Sequence, residues 1–486
     1  MGRYAGAVTL HLHDSASRTT RPFTPVVPGR ASLYVCGPTT QGGPHVGHLR
    51  TLLAFDVLVR WLERSGLSVR YVRNVTDIDD KILHRAQEND AEWWAWSLRY
   101  EREFHDVMDT VGARRPDYEP RATGHVPEMI GFMQRLIERE HAYADGAGNV
   151  YFSVRSLPEY GSLTHQALAD MQDAAESPEP GKRHPQDFAL WKAAKPREPD
   201  TASWDTPFGR GRPGWHLECS AMSLKYLGET FDIHAGGLDL RFPHHENEQA
   251  QSHGAGYGFA RTWMHSGVLT VDGQKMGKSL DNFVTAEDAL SAHPAAAVRL
   301  ALVGAHYRAV VEYNATTLQE AEVVWERFST SARRAAETLG ADHSLSGPDA
   351  DLVAVALPED FVAALDDDLG VPDALAVVHR TQAALNSELA GAADPTALAE
   401  LLGTFRAMLD VLGLDPLSST WARGNVGGRE HAALDAVVRA QLEARTQARA
   451  AKDWALADRI RDDLAAAGIR VEDGRDGARW TLEHNA

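Results

Sequence analysis

Cysteine is nearly absent from this sequence. Among 486 residues only Cys36 and Cys219 carry thiols. That excludes a disulfide framework and leaves at most one bridge between two distant positions. Burial or metal binding is the expectation for both in a reducing compartment. Long hydrophobic runs are also missing, and no apolar stretch approaches the ~18 residues of a membrane span. The start, MGRYAGAVTLHLHD, lacks the charged-then-apolar form of a signal peptide and has Gly6 where myristoylation needs Ser or Thr. A cytoplasmic protein without a membrane partner is therefore expected. Basic residues are outnumbered, 49 Lys and Arg against 68 Asp and Glu, for a net charge of −19. This argues against indiscriminate nucleic-acid binding, because phosphate affinity comes from Lys and Arg. One local exception exists: Arg439, Arg445, Arg449, Lys452, Arg459 and Arg461 crowd one short region. Interleaved with acids, they read either as a solvated helix face or as a local basic surface.

What is present points to several domains, since the length exceeds that at which single cores stop growing. Residues 32–35 (SLYV) and LSVRYVRNV from Leu67 are short, apolar and rich in β-branched or aromatic residues. Between them Leu49, Leu52, Leu53, Phe55, Leu58 and Leu62 recur at helical spacing until Ser65-Gly66. This is a βαβ unit, whose ligands bind at the carboxyl ends of the strands beside the helix start. The sequence HVGH, His45 to His48, lies at that end. The expected fold is α/β: a Rossmann-like parallel-sheet catalytic domain with an insertion, then an α-helical bundle and a small C-terminal α/β tail. The expected boundaries are 1–120 and 211–290 for the two catalytic halves, 121–210 for the insertion, 291–320 for a linking segment, 321–425 for the bundle and 426–486 for the tail.

Three local patterns fail as motifs. Gly209, Gly211 and Gly214 fit G-x-G-x-x-G, but Arg212-Pro213 lies inside and no strand precedes them, as a dinucleotide site requires. GQKMGKS has the look of a P-loop, yet its first glycine would have to be at Asp272. DIDDKI, from Asp77, lacks the glycine-bearing pattern of a calcium loop, which leaves burial or capping as its role.

Two constellations carry chemistry. His244 and Glu248 in PHHENE are spaced i, i+4 and can share one face. With Cys36 at a strand end and Cys219 after Trp-His-Leu-Glu, they supply sulfur, nitrogen and oxygen donors suited to zinc. Each alone reads equally as a buried small hydrophobe or an ordinary histidine. HVGH and the later Lys275-Met276-Gly277-Lys278-Ser279 form the second pairing. Imidazoles and a helix N-terminus in one and ammonium groups in the other can grip a triphosphate. An exposed turn explains the second segment equally well.

HVGH resembles the HIGH signature of class I aminoacyl-tRNA synthetases, and KMGKS their KMSKS loop. With CGPT, NVTDIDDKI, DFALWK, GRPGWHLECSAM and FDIHAGGLDLRFPHHENE, the chain resembles the cysteinyl-tRNA synthetase family nearly end to end. It departs at Gly277, where the family has serine, and at Thr40 to Gly43, where a tyrosine-bearing segment is common. The resemblance implies a ligase that activates L-cysteine with ATP and transfers it to the cysteine tRNA. It implies catalytic and ATP-binding roles for His45, Gly47, His48, Lys275 and Lys278, and adenosine contacts at Gly236, Gly237 and Asp239. It further implies one zinc ion held by Cys36, Cys219, His244 and Glu248, amino-acid contacts from Thr76, Trp215 and His234, magnesium accompanying ATP, and a monomer. Trp215 as core packing is the alternative. So are a cysteine-activating ligase acting on a small amine and a catalytically silent RNA-binding relative.

Overall fold

The computed structural model describes residues 10–168, 171, 181–271, 273–276, 282–391, 393–451, 453–474 and 477–482. The chain divides into two compact units, Met1–Leu417 and Ser418–Ala486.

The first unit is built on a parallel sheet in the order Ala260–Ser266, Phe231–Gly237, Arg30–Val35, Ser68–Arg73. Ala31, Leu33, Tyr34 and Val35 are all fully buried. Only Ser32 among residues 31–35 is partly exposed, and burial on both faces is what a covered parallel strand requires. The helix Val46–Arg64 carries the crossover from the central strand to Ser68–Arg73, burying its Leu and Phe stripe. It ends where Gly66 takes φ +87°, a conformation that costs a residue with a Cβ. From the central strand the chain goes one way to Ser68–Arg73, while Phe231–Gly237 joins on the other side. The carboxyl end of Arg30–Val35 is therefore a topological switch point, the place where such sheets bind ligands. The architecture is the expected α/β one.

The insertion holds an antiparallel sheet, Ala142–Ala144, Val150–Phe152, Phe188–Ala193 and Gly211–Pro213, packed with the helix Val126–Glu138 around Trp191, Phe152 and Val150. The break expected at 210/211 therefore falls three residues before this sheet ends. The glycines there have a packing role: a Cβ on Gly211 would lie 2.1 Å from the Lys192 carbonyl oxygen, and one on Gly214 2.0 Å from that of Ala189. In the DIDDKI run, Asp79 caps the helix Asp80–Glu88 and buried Asp77 accepts from the Thr123 amide.

The later part of the first unit is helical and includes Ala295–Val303, Ala315–Leu339, Glu359–Asp366, Val371–Ala390 and Pro395–Val411. The break expected at 320/321 lies inside Ala315–Leu339, which begins earlier because Asn314 and Thr317 cap it reciprocally. Buried Arg299 bonds Asp56 of the crossover helix and the Leu412 carbonyl, tying sheet and helices together. The second unit consists of helices Ser419–Ala450 and Trp454–Ala466 and the hairpin Ile469–Gly474 with Gly477–Leu482. Val438, Leu442, Ile460, Leu464 and Ile469 form its core. The 425/426 break falls within its first helix.

Candidate active site

Cys36 follows the central strand, its amide bonded to the Ala235 carbonyl of the neighbouring strand at 3.0 Å. Cys219 comes from the helix Trp215–Leu227, and His244 from the wide turn leading into the helix Glu246–Gly254 that carries Glu248. All four side chains are buried. The two sulfurs are 3.8 Å apart, Cys36 Sγ is 3.5 Å from Glu248 Oε1, and that oxygen is 3.0 Å from His244 Nε2. A zinc–sulfur bond of about 2.3 Å gives a tetrahedral sulfur–sulfur edge of about 3.8 Å, so the thiols are already at ligating separation. A second donor set overlaps the first: Cys36 and Glu248 with His234 and His245. His245 Nε2 lies 3.3 Å from Cys36 Sγ, and His234 Nε2 lies 2.8 Å from Glu248 Oε2. On the far side of His244, Nδ1 meets His216 Nδ1 at 2.9 Å, an outer-shell contact of the kind that orients ligating imidazoles.

The protonation pattern suits a cation. Burial opposes charge on Glu248, but the neighbouring His234 and His244 hold its carboxyl down at about 2. Burial likewise opposes charge on His244, yet Glu248 and Cys219 raise it to about 10. Burial raises the Cys219 thiol, and hydrogen bonds from Cys36 and His244 overcome it, bringing it to about 6. Cys36, pushed up by burial and by Cys219, keeps its proton. Without a metal the site is thus a thiolate and a carboxylate around one imidazolium.

Beside this cluster a cavity of about 290 Å³ opens at the switch point, lined by Cys36, His45, Gly47, His48, Trp215, Gly237, Asp239 and Met276 among others. His45 caps the crossover helix, its Nδ1 accepting from the Gly47 amide at 3.1 Å, while the His45 amide donates to His48 Nδ1 at 3.3 Å. The two rings stack with centroids 3.7 Å apart. A Cβ on Gly47 would lie 2.9 Å from the His45 ring, so glycine lets the ring fold back over the helix start. The segment after KMGKS returns to this helix start: the Val46 amide donates to Val284 O at 3.2 Å, the Ala286 amide to Pro44 O at 2.9 Å, and Phe283 packs edge-on to His45. Gln274–Lys275 pairs with Leu269–Val271, and Met276 reaches the cavity. The Lys275 side chain, Gly277 and Lys278 lie outside the described residues.

The structure thus gathers Cys36, Trp215, Gly237, Asp239 and, from HVGH, His45, Gly47 and His48 around one cavity. Trp215 is only partly buried and stacks on His244 at 4.2 Å, so it is not core packing. Gly236 lies just behind, where a Cβ would meet the His245 ring at 2.9 Å. Thr76 and His234 are buried away from the cavity: Thr76 donates to Glu218 Oε2 at 2.8 Å, and His234 braces Glu248. Sequence reasoning missed Glu218, His216, His245 and His265, whose Nε2 lies 2.8 Å from His245 Nδ1. The doubled histidine of PHHENE and the His-Leu-Glu after Trp215 were the available signals. In the second unit Arg449 is exposed, Arg445 half-buried, Arg461 paired with Asp462 at 3.0 Å, and Lys452 outside the described residues.

The sequence matches the family described as tRNA synthetases class I (C) catalytic domain over residues 22–323, the DALR domain over 360–416 and the Cysteinyl-tRNA ligase anticodon binding domain over 431–480. It is 56% identical to a cysteine--tRNA ligase of Beutenbergia cavernae, over 98% of this chain and all of that protein. It is 54% identical to one of Micrococcus luteus, over 97% of this chain and 99% of that one. Among solved structures it resembles the Agrobacterium radiobacter K84 agnB2 LeuRS in complex with tRNA and LeuAMS. The TM-score is 0.59 at 12% identity, over 82% of this chain and 86% of that one. A Mycobacterium tuberculosis methionyl-tRNA synthetase with methionyl-adenylate gives a TM-score of 0.55 at 15% identity, over 79% and 90%. These two share the fold.

Proposed function

The chain belongs to the cysteine--tRNA ligase family, and on that premise we propose that Cys36, Cys219, His244 and Glu248 hold one zinc ion that reads the thiol of the incoming cysteine. Its activity is that of a cysteine--tRNA ligase: ATP-dependent activation of L-cysteine and its transfer to tRNA. The observation carrying the zinc assignment is the pair of sulfurs at a tetrahedral edge beside a cavity that Cys36 itself lines. This favours the two-thiolate set over the one with His234 and His245. When bound, zinc would offer the substrate a soft acceptor for sulfur that serine and alanine cannot satisfy. A recognition of that kind can discriminate by ~10⁴-fold, whereas shape alone separates a methylene by only ~10- to 200-fold.

The protein's own groups do the rest. His234 fixes Glu248 through its second oxygen, and His216 fixes His244. Trp215, stacked on His244, walls the amino-acid end of the cavity. At the other end His45, His48 and the helix N-terminus face the α-phosphate, with Lys275 and Lys278 neutralising the departing pyrophosphate and magnesium accompanying ATP. Gly236, Gly237 and Asp239 cradle the adenosine. The cysteine carboxylate attacks the α-phosphate, releasing pyrophosphate and forming cysteinyl-adenylate; a hydroxyl of the terminal ribose of the tRNA then attacks its carbonyl carbon, taking the cysteinyl group and releasing AMP. Catalysis by these groups is positioning and charge stabilisation. Thr76 supports the site through Glu218.

The match of residues 431–480 to an anticodon-binding domain supports a tRNA acceptor over a small amine, and nothing favours a silent relative. Use of its product in translation supports a cytoplasmic location. Among the described residues no helix is long and apolar enough to cross a membrane. The test is cysteine-dependent ATP–pyrophosphate exchange, with metal analysis, before and after chelation. Exchange that survives complete loss of zinc, with serine still rejected, would refute the assignment.

A further inference from the structure

A carboxylate outside the KMGKS hairpin ties its turn to its strand. Leu269–Val271 turns back into Gln274–Lys275, and on its other edge it pairs in parallel with Val311–Glu312. Thr270 stands opposite Lys275 on one side and Glu312 on the other. Glu312 accepts from the Thr270 hydroxyl, and the Gly273 amide in the turn lies 3.2 Å from its Oε1 and 3.3 Å from its Oε2. Gly273 holds φ +72°, which glycine adopts and leaves with equal ease, so an acceptor for its amide is what restrains the turn. Glu312 itself sits on a firm base. The Tyr313 amide donates to the Thr270 carbonyl at 2.8 Å, and Asn314 caps the helix Ala315–Leu339. Glu312 is not among the residues lining the cavity, whereas Met276, directly after the hairpin, is.

Adenylate formation makes a demand on that geometry. Ammonium groups stabilise the departing pyrophosphate fully only when they are already placed where its charge builds up; a group that must first be ordered loses part of its effect. A free glycine-bearing turn at the root of the segment would spread the lysines over many positions. We propose that Glu312 is a positioning residue for adenylate formation: its carboxylate fixes the turn that precedes Lys275 and Lys278, and with it their approach to the departing pyrophosphate, without touching substrate. This rests on the phosphate reading of KMGKS above.

The test is cysteine-dependent ATP–pyrophosphate exchange in the full-length protein, as a cycle of Glu312→Ala, Lys278→Ala and the double variant. Glu312→Ala should lower kcat about tenfold, the lower end for a lost hydrogen bond to a charged group, with the KM for cysteine unchanged. Glu312→Gln, whose amide oxygen still accepts from both donors, should recover most of the rate. The double variant should be within about twofold of Lys278→Ala alone, because Glu312 acts through the lysine-bearing segment. Losses that multiply, to on the order of 10³-fold, would make Glu312 a structural residue and overturn the inference. Thr270→Val removes one of the two donors while keeping a β-branched residue in the strand, and should give a smaller loss of kcat at the same cysteine KM. A wild-type rate in both Glu312→Ala and Thr270→Val, with Lys278→Ala slow, overturns the inference and spares the phosphate reading. A wild-type rate in Lys278→Ala overturns that reading, and the inference with it.

Discussion

Replacing Cys219 by serine exchanges a buried sulfur, 3.8 Å from its partner thiol, for a neutral hydroxyl. Structural zinc sites bind with about 10–16 kcal/mol, so one of four ligands carries roughly 3–4 kcal/mol, a factor of 10² to 10³ in affinity. Cys219→Ser should therefore lose zinc at a chelator concentration that leaves wild type loaded. Its KM for cysteine should rise by a comparable factor while that for ATP stays within about twofold, because the phosphate end of the cavity is untouched. The metal-free proteins give an independent readout. The Cys219 thiol, lowered to about 6, contributes stability that is full above its ordinary range near 9 and lost as pH falls through 6. The His244 imidazolium, raised to about 10, contributes stability that is full below 6.5 and lost as pH rises through 10. Metal-free wild type thus gains from the pair between about pH 6 and 10, and the serine variant should lack that gain. Equal zinc content in both proteins under chelation would refute the reasoning.

Lys278→Ala should depress ATP–pyrophosphate exchange on the order of 10²-fold with cysteine affinity unchanged, as for removal of one charge-stabilising donor; collapse of cysteine binding would make the residue structural. A chain ending at Leu417, the edge of the first compact unit, should retain cysteine-dependent exchange but charge tRNA poorly. Full charging would move anticodon recognition out of the second unit. Glu119 is held down at about 2: burial opposes the shift, but the His105 ring, its Nε2 2.9 Å from Oε2, and the Arg73 guanidinium outweigh it. Its contribution, up to ~3 kcal/mol, is present above 4.5 and lost as pH falls through 2. Glu119→Gln should accordingly flatten the acid limb of a stability–pH curve, and an unchanged limb would count against the pairing.

Local features of this fold were legible in the sequence. The crossover helix announces itself because Leu49 to Leu62 repeat at 3.6 residues and Gly66 stops them. The donor types of the ligand set were legible in the residues themselves, but their assembly into one site rested on family resemblance, since Cys36 and Glu248 are 212 positions apart and no spacing rule spans that distance. His234 was read, through the resemblance, as an amino-acid contact, and only the structure reveals that it bonds the Glu248 carboxylate. Domain edges were misplaced for related reasons. Helical periodicity runs without interruption through residue 320, and the strand Gly211–Pro213 is a Gly-Arg-Pro run that passes for a loop.

The pairing of Arg30–Val35 with Phe231–Gly237 joins Tyr34 to His234 across 200 positions of chain. At about 5–20 residues per second, a ribosome needs some 10–40 s to deliver the second strand after the first. Through that interval the central strand has Ser68–Arg73 on one side and an open hydrogen-bonding edge on the other. Cys36 waits at its tip for partners not yet translated. Completion of the sheet, and with it assembly of the thiol-reading pocket, is therefore a late event in the life of the nascent chain, and the half-built sheet is the stage at which a chaperone has most to protect.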